Sequence, residues 1–366
     1  MARNGYPGVI DADGHVMETD AEIFEYLPPP YRGQTQLFTA PFFPGLDAWH
    51  RAASRVGDGL GRVLDRPSAQ DWLDFLDSAG VSASVLFPTN GLAHGVLADP
   101  KWAAGLARGY NDWLYDRFLR QAPQRLKGMA LIPMQDPAQA AAELRRAVSE
   151  QGMVGAVLPA VGLPEALGHR SYWPVYAAAE ELNCLLAVHG APTWGLGLEK
   201  LRSLIEVRVL NHAIAQQIQM TSLVLSGIFE AFPRLRIAFC EAGCGWVPYL
   251  MERLDREYAS RHTQVPHLKV RPSEHLRNGR VFLHAELDEQ GLGYAIRVLG
   301  EDAFFCASDY PHEPKQDFLE VLDELDARED VPATAKRKML WDNPLRMYAL
   351  DAAELTAAPT STAARS

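Results

Sequence analysis

Residues 8–15 read GVIDADGH. Four of the first five are apolar or small, and the run then ends in two ligand-type side chains, Asp13 and His15. An apolar segment this short, closed by polar groups, reads as a buried strand whose end opens onto a site. Asp13 and His15 sit at i and i+2, so in an extended chain both point the same way and can reach one ion. Working outward, the pattern recurs at 81–88 (VSASVLFP), 125–133 (RLKGMALIP), 153–159 (MVGAVLP), 184–190 (CLLAVHG), 235–241 (LRIAFCE), 280–286 (RVFLHAE) and 303–309 (AFFCASD). With GVIDAD at 8–13, these make eight near-continuous apolar runs. Between them lie amphipathic stretches at 69–79, 101–120, 136–151, 173–182, 246–258 and 289–299. Strands alternating with helices imply a parallel sheet. Eight such units predict a closed (β/α)8 TIM barrel with loop insertions at its C-terminal face. No G-x-G-x-x-G follows the first run, which speaks against a dinucleotide fold.

The chain has 366 residues, and a barrel of this class needs roughly 250. The remainder is assigned to insertions at 28–67 and 191–215, so residues 1–350 are expected to form one domain and 351–366 a solvated tail. Segment 28–67 is rich in Pro, Gly and aromatics; segment 191–215 carries Trp194, Arg202, Arg208 and His212. Both follow strand C-terminal ends and are expected to wall a substrate pocket, though 28–67 serves equally as a subunit contact. A hydrophobic content of 48% suits a large core, and a formal net charge of -11 argues against nucleic acid or an anionic membrane as partner. The start of the chain has no apolar signal segment, and no apolar run is long enough to span a bilayer. Cys184, Cys240, Cys244 and Cys306 are too few for a disulfide framework and are expected to be buried thiols in a reducing cytoplasm.

Ligand-type residues end run after run: Asp13 and His15, His189, Glu241, His284 and Glu286, and Asp309. In a closed parallel barrel these ends share one face. Asp13, His15, His189 and Asp309 are therefore expected to bind one divalent metal, zinc first, with manganese or iron as alternatives. The competing reading has the two Asp capping helices and His189 satisfied in the core. His212 reads either as a pocket group or as an exposed helical His, and His312 as a support beside Asp309 or a structural residue, since Pro311 fixes a turn there.

The blocks VIDADGHVMET, LLAVHG, SGIFEAFPRLRIAFCEAGCGWVPYLMERLD, CASDYPHEP and DNPLRMYAL together resemble the amidohydrolase superfamily. Within it they resemble the branch holding aminocarboxymuconate-semialdehyde, γ-resorcylate and 5-carboxyvanillate decarboxylases. The resemblance implies the barrel, a metal on Asp13, His15, His189 and Asp309, a dimer or higher oligomer, and a small carboxylic acid substrate. It also marks two departures. The branch's first-strand pair is H-x-H or E-x-H, and here it is Asp13 and His15. The decarboxylases often carry a catalytic His after the sixth strand, and here Glu241 stands there.

The expected function is non-oxidative decarboxylation of a small aromatic or unsaturated acid, with Asp309, Glu241 and His212 as catalytic residues. The alternative is hydrolysis of an amide, lactone or related bond, in which the ion activates water and Asp309 is the base. A two-metal iron or manganese N-oxygenase and a non-catalytic partner subunit are further readings. Glu241 is expected to face the pocket; the competing roles are a cap for the helix near Trp246 or a partner for Arg236.

Overall fold

The computed structural model describes residues 6–33, 41–46 and 66–356. Most of the expected insertion at 28–67, and the end of the expected tail, lie outside the described residues. Eight parallel strands run in sequence order: β1 (Ile10–Val16), β2 (Ala83–Pro88), β3 (Leu126–Ala130), β4 (Gly155–Pro159), β5 (Leu185–His189), β6 (Arg236–Cys240), β7 (Val281–His284) and β8 (Phe304–Phe305). Seven fall within an apolar run, and β1 starts inside its run and continues to Val16. The strands are buried on both faces, one toward the barrel axis and one toward the helices, which is why their sequences do not alternate.

β8 is only two residues long, and the barrel is closed beyond it by single hydrogen bonds. Ala12 donates its N–H to the Cys306 carbonyl, Asp309 donates to the Asp13 carbonyl, and His15 donates to the Tyr310 carbonyl. The buried Asp11 carboxylate reinforces this seam. It accepts from Ser84 Oγ on β2 at 2.6 Å and, past β8, from Ser308 N and Oγ at 2.8 and 2.9 Å. Asp11 thus ties three chain segments together directly beneath the strand ends.

The helices follow from local signals. Ser68 caps helix Ala69–Ala79 in a capping box with Asp71, and Gly80 ends it in the left-handed conformation. Asp136 caps Pro137–Gln151, with Pro at the first turn. Trp173–Leu182 has the bounds its periodicity predicts. The segment 191–215 resolves into two helices, Leu204–Arg208 and the first turns of Asn211–Leu225. Within the segment expected as a tail, Ala352–Thr356 is a short helix, and Leu355 packs in a small cluster with Ile10, Ala83 and Trp341. The four cysteines are buried free thiols. No helix among the described residues is long and apolar enough to cross a membrane.

Candidate metal centre and active site

The register of β1 shifts between Asp11 and Gly14, and such an irregularity re-aims the side chains beside it. Gly14 is needed here, because a Cβ at this position would lie 2.4 Å from the Trp72 ring and 2.9 Å from Asp11 Oδ2. Asp13 and His15 flank it, both fully buried. His15 is fixed by the Pro88 carbonyl at 2.9 Å from Nδ1, and His189 by the Gly190 carbonyl at 2.7 Å from Nδ1. Each ring therefore keeps its Nε2 for the barrel mouth.

Those two Nε2 atoms converge on Glu241. Oε1 of Glu241 is 2.8 Å from His15 Nε2 and 3.2 Å from His189 Nε2. Asp13 approaches the same place, with Oδ1 3.5 Å from His15 Nε2 and Oδ2 3.6 Å from His189 Nε2. Asp309 Oδ1 lies 3.5 Å from His15 Nε2 on another side. Two groups of metal-ligand type result, Asp13–His15–His189–Glu241 and His15–Glu241–Asp309–His312, which share His15 and Glu241.

Four atoms here are buried without a hydrogen-bond partner: Asp13 Oδ1, Asp13 Oδ2, His189 Nε2 and His212 Nδ1. A fully buried carboxylate with neither oxygen satisfied is costly unless a cation completes it. Two imidazoles and three carboxylates are a borderline-to-hard donor set. The residues therefore fit one divalent cation.

Charge crowding shows in the proton affinities. Burial pushes Asp13 up to about 7. Burial, then the neighbouring Glu241 charge, holds Asp309 well above the carboxylate range. For Glu241 burial acts upward, but the His189 charge, the hydrogen bond from His15 and the His15 charge outweigh it and hold it well below the carboxylate range. Burial also acts against a charged His189, yet Glu241 raises it to about 10. Burial lowers His212 and His312 to about 4.

Two of these side chains hold strained backbone. Glu241 and Asp309 have φ of 51° and 49°, a region that disfavours side chains with a Cβ by about 1–2 kcal/mol. Strain of this kind persists where the surroundings over-determine it, typically at functional sites. The surroundings here are visible. Glu241 N–H donates to His284 Nδ1 at 3.2 Å, and Gln216 Nε2 holds the Cys240 carbonyl just before it. The cap role considered for Glu241 belongs to Glu289, whose carboxylate accepts from the N–H groups of Cys244 and Gly245 at the start of helix Trp246–Arg261. Arg236 instead pairs with Asn183.

His312 is closer to the centre than its sequence context suggests. Its Nδ1 is 2.7 Å from Asp309 Oδ1, its Nε2 is 2.9 Å from Thr89 Oγ1, and its ring stacks on His15 with centroids 4.1 Å apart. His212 Nδ1 stands 3.8 Å from Glu241 Oε2. Sequence reasoning passed over Asp11, Thr89 and Glu18, a buried carboxylate that accepts from Thr89 N and Gly91 N. The D-x-D-x-H spacing could have flagged Asp11; nothing local flags Thr89. A small inner cavity of about 50 Å³, bordered by His212, Glu241, Asp309 and His312, adjoins a cleft of about 560 Å³ that opens outward past Glu286 and Glu313.

Three comparisons bear on this geometry. γ-Resorcylate decarboxylase of Polaromonas sp. (strain JS666) is 26% identical over 344 residues, covering 87% of this chain and 95% of that protein. The 2-amino-3-carboxymuconate-6-semialdehyde decarboxylase of Dictyostelium discoideum is 23% identical over 259 residues, covering 70% of each. Among solved structures, dihydroxybenzoic acid decarboxylase from Polaromonas sp. JS666, with bound manganese and the inhibitor 2-nitroresorcinol, superimposes with a TM-score of 0.68 at 23% identity, covering 94% of this chain and 97% of that one. At that identity the likeness shows the fold. The amidohydrolase family model matches residues 10–350, nearly the whole described barrel, and the chain belongs to that family.

Proposed function

We propose that this chain is a metal-dependent, non-oxidative carboxy-lyase acting on a small aromatic or unsaturated carboxylic acid. The observation that carries the reading is the convergence of Asp13, His15, His189, Glu241 and Asp309 around orphaned buried donors and acceptors. The decarboxylase names of the full-length relatives support it. We assign Asp13, His15, His189 and Asp309 as the residues that would hold the ion, with Glu241 the carboxylate nearest the two imidazoles, 2.8 and 3.2 Å from them. The ion is divalent: zinc suits the mixed imidazole and carboxylate set, and manganese suits its carboxylate-rich side. When bound, it supplies Lewis acidity and a template for the substrate's oxygens.

The chain's own groups do the rest. The inner cavity excludes bulk water from the reacting carbon. Asp309 carries the proton that replaces CO₂ on that carbon, and His312 Nδ1 holds the carboxyl in place at 2.7 Å. Glu241 and His212 face each other across the cavity and orient the substrate. The deciding assay is CO₂ release from a panel of hydroxybenzoates and muconate-like acids by manganese- or zinc-loaded protein. No release from any member, with metal bound, refutes the reading.

One observation favours a second reading. Glu241 is a carboxylate where the branch's decarboxylases carry an imidazole, and a carboxylate beside metal-bound water suits amide or lactone hydrolysis. Turnover of such bonds without CO₂ release would establish it. We further propose a homodimer or higher oligomer, checked by light scattering against the 40.5 kDa chain mass. A cytoplasmic setting, proposed from four unpaired buried thiols, is checked by fractionation.

A further inference from the structure

The 560 Å³ cleft is lopsided in charge. Beyond the metal centre it is lined by Glu286, Asp288, Glu289, Glu313 and Asp317. Glu289 is occupied by backbone N–H groups; the other four are exposed. Deeper in stand Asp13, Glu241 and Asp309, and a divalent cation among three carboxylates leaves no positive surplus. By charge alone, an anionic acid would be turned away.

Arg208 breaks this pattern. It is the one Lys or Arg among the described residues that line the cleft, and it also lines the inner cavity with His212, Glu241, Asp309 and His312. It ends helix Leu204–Arg208, whose capping box of Ser203 and Glu206 fixes the helix start. Its positive charge acts on both His212 and His312. Its ion pair is Glu313, a long contact of 3.8 Å between two half-exposed groups, and such a pair is weak. Arg208 thus stands where the two cavities meet with its guanidinium only loosely paired, and that planar fork matches a carboxylate bidentately.

We propose that Arg208 determines specificity by holding the substrate's carboxylate, and that the acidic wall beyond it admits a single carboxylate with hydroxyl or amino donors at the far end. A second carboxylate on the ring would face Glu286, Asp288 and Asp317. The inference rests on the acid-substrate reading above.

The test uses metal-loaded full-length protein and four unreactive probes in titration calorimetry: benzoate, 3-aminobenzoate, isophthalate and benzyl alcohol. Benzoate and 3-aminobenzoate are expected to bind, and isophthalate at least about 10-fold more weakly. Arg208→Gln should weaken benzoate about 10- to 100-fold, leaving benzyl alcohol unchanged, and Arg208→Lys should recover part of the loss. Glu313→Gln, which frees the guanidinium, should tighten benzoate. Glu286→Gln combined with Asp317→Asn should admit isophthalate. In turnover, Arg208→Gln should raise KM far more than it lowers kcat. Equal benzoate binding by wild type and Arg208→Gln, equal binding of benzoate and isophthalate by wild type, or no binding of any probe would each overturn the assignment. If the binding pattern holds but no acid releases CO₂, the decarboxylase reading fails and Arg208 stands; CO₂ release with an unchanged KM in Arg208→Gln gives the reverse.

Discussion

Replacing Asp11 should separate the seam of the barrel from the site above it. Its carboxylate is 0% exposed and accepts three hydrogen bonds, from Ser84 Oγ, Ser308 N and Ser308 Oγ. Asp11→Ala removes all three. The two hydroxyls can turn to other acceptors, but the Ser308 N–H is left buried and unpaired, which costs about 1–3 kcal/mol. The small void adds about 1 kcal/mol, and the relieved burial of a charge offsets part. We expect a net loss of about 1–3 kcal/mol. Asp11→Asn keeps an oxygen for Ser308 N–H and turns an NH₂ toward two hydroxyls that can reverse to accept it, so about 1 kcal/mol is expected. Ser308 precedes Asp309 with its φ of 49°, so the Ala variant should also bind manganese at least about 10-fold more weakly, since outer partners hold ligands in place. Urea unfolding and chelator competition read the two effects. An Ala variant within about 0.5 kcal/mol of wild type, or an Asn variant as damaged as the Ala one, would refute the reasoning, since changes of that size are ordinary at uninvolved surface positions.

Three further outcomes follow from the same geometry. His189→Ala should lower metal per chain to near zero by elemental analysis while far-ultraviolet circular dichroism stays unchanged, because mouth residues and barrel stability occupy opposite faces. Gly14→Ala drives a Cβ to 2.4 Å from Trp72 and 2.8 Å from Ser84 Oγ; thermal unfolding should show a loss of about 1–3 kcal/mol, accompanied by weaker metal binding. His94 is buried, with Nε2 bonded to the Ala103 carbonyl, and burial lowers it from 6.5 to about 4. The unfolded chain gains this proton near 6.5 and the folded chain only near 4, so wild type loses up to about 3 kcal/mol from this group as pH falls through that window. His94→Gln can keep the bond without titrating, and urea midpoints at pH 7 and pH 4.5 should differ less in the variant than in wild type.

The strands were legible because each is buried on both faces, and burial leaves a mark in every residue of a strand. Seven of the eight runs contain their strand, β1 running on to Val16, and five helices begin within one residue of the predicted start: Ala69–Ala79, Pro100–Arg117, Pro137–Gln151, Trp173–Leu182 and Trp246–Arg261. The placement of Asp13, His15, His189 and Glu241 near one point was legible for a topological reason: parallel strand ends share a face. What was not legible is which polar residues touch which. Asp309 lies beside His312 and His15 rather than in the tighter group around Asp13 and His189. No spacing rule yields that, because it depends on the left-handed turn at Asp309. Asp11 disappeared into an apolar run, although its carboxylate closes the barrel. Glu289 caps a helix that begins more than forty residues before it, a pairing that local capping signals cannot reveal.

The site divides into two parts with different physical support. Asp13, His15 and His189 stand on β1 and β5 and Glu241 directly after β6; His15 is held by the Pro88 carbonyl on β2, His189 by the carbonyl of Gly190 that follows it, and the Glu241 N–H by the His284 ring at the end of β7. Their geometry is fixed by the barrel itself, so it tolerates large sequence change elsewhere. The cleft-lining groups Arg208, His212, Glu286 and Glu313 lie on the segments that follow β5, β7 and β8. Such connecting segments vary more readily than the strands that carry the inner cluster. One ligand set can therefore serve different acids, or a different bond altogether, through loop changes alone. This is why relatives at 26% identity are informative about the centre and much less so about the substrate. It is also why the charge of the cleft around Arg208, rather than the metal ligands, is where substrate choice in this chain is to be sought.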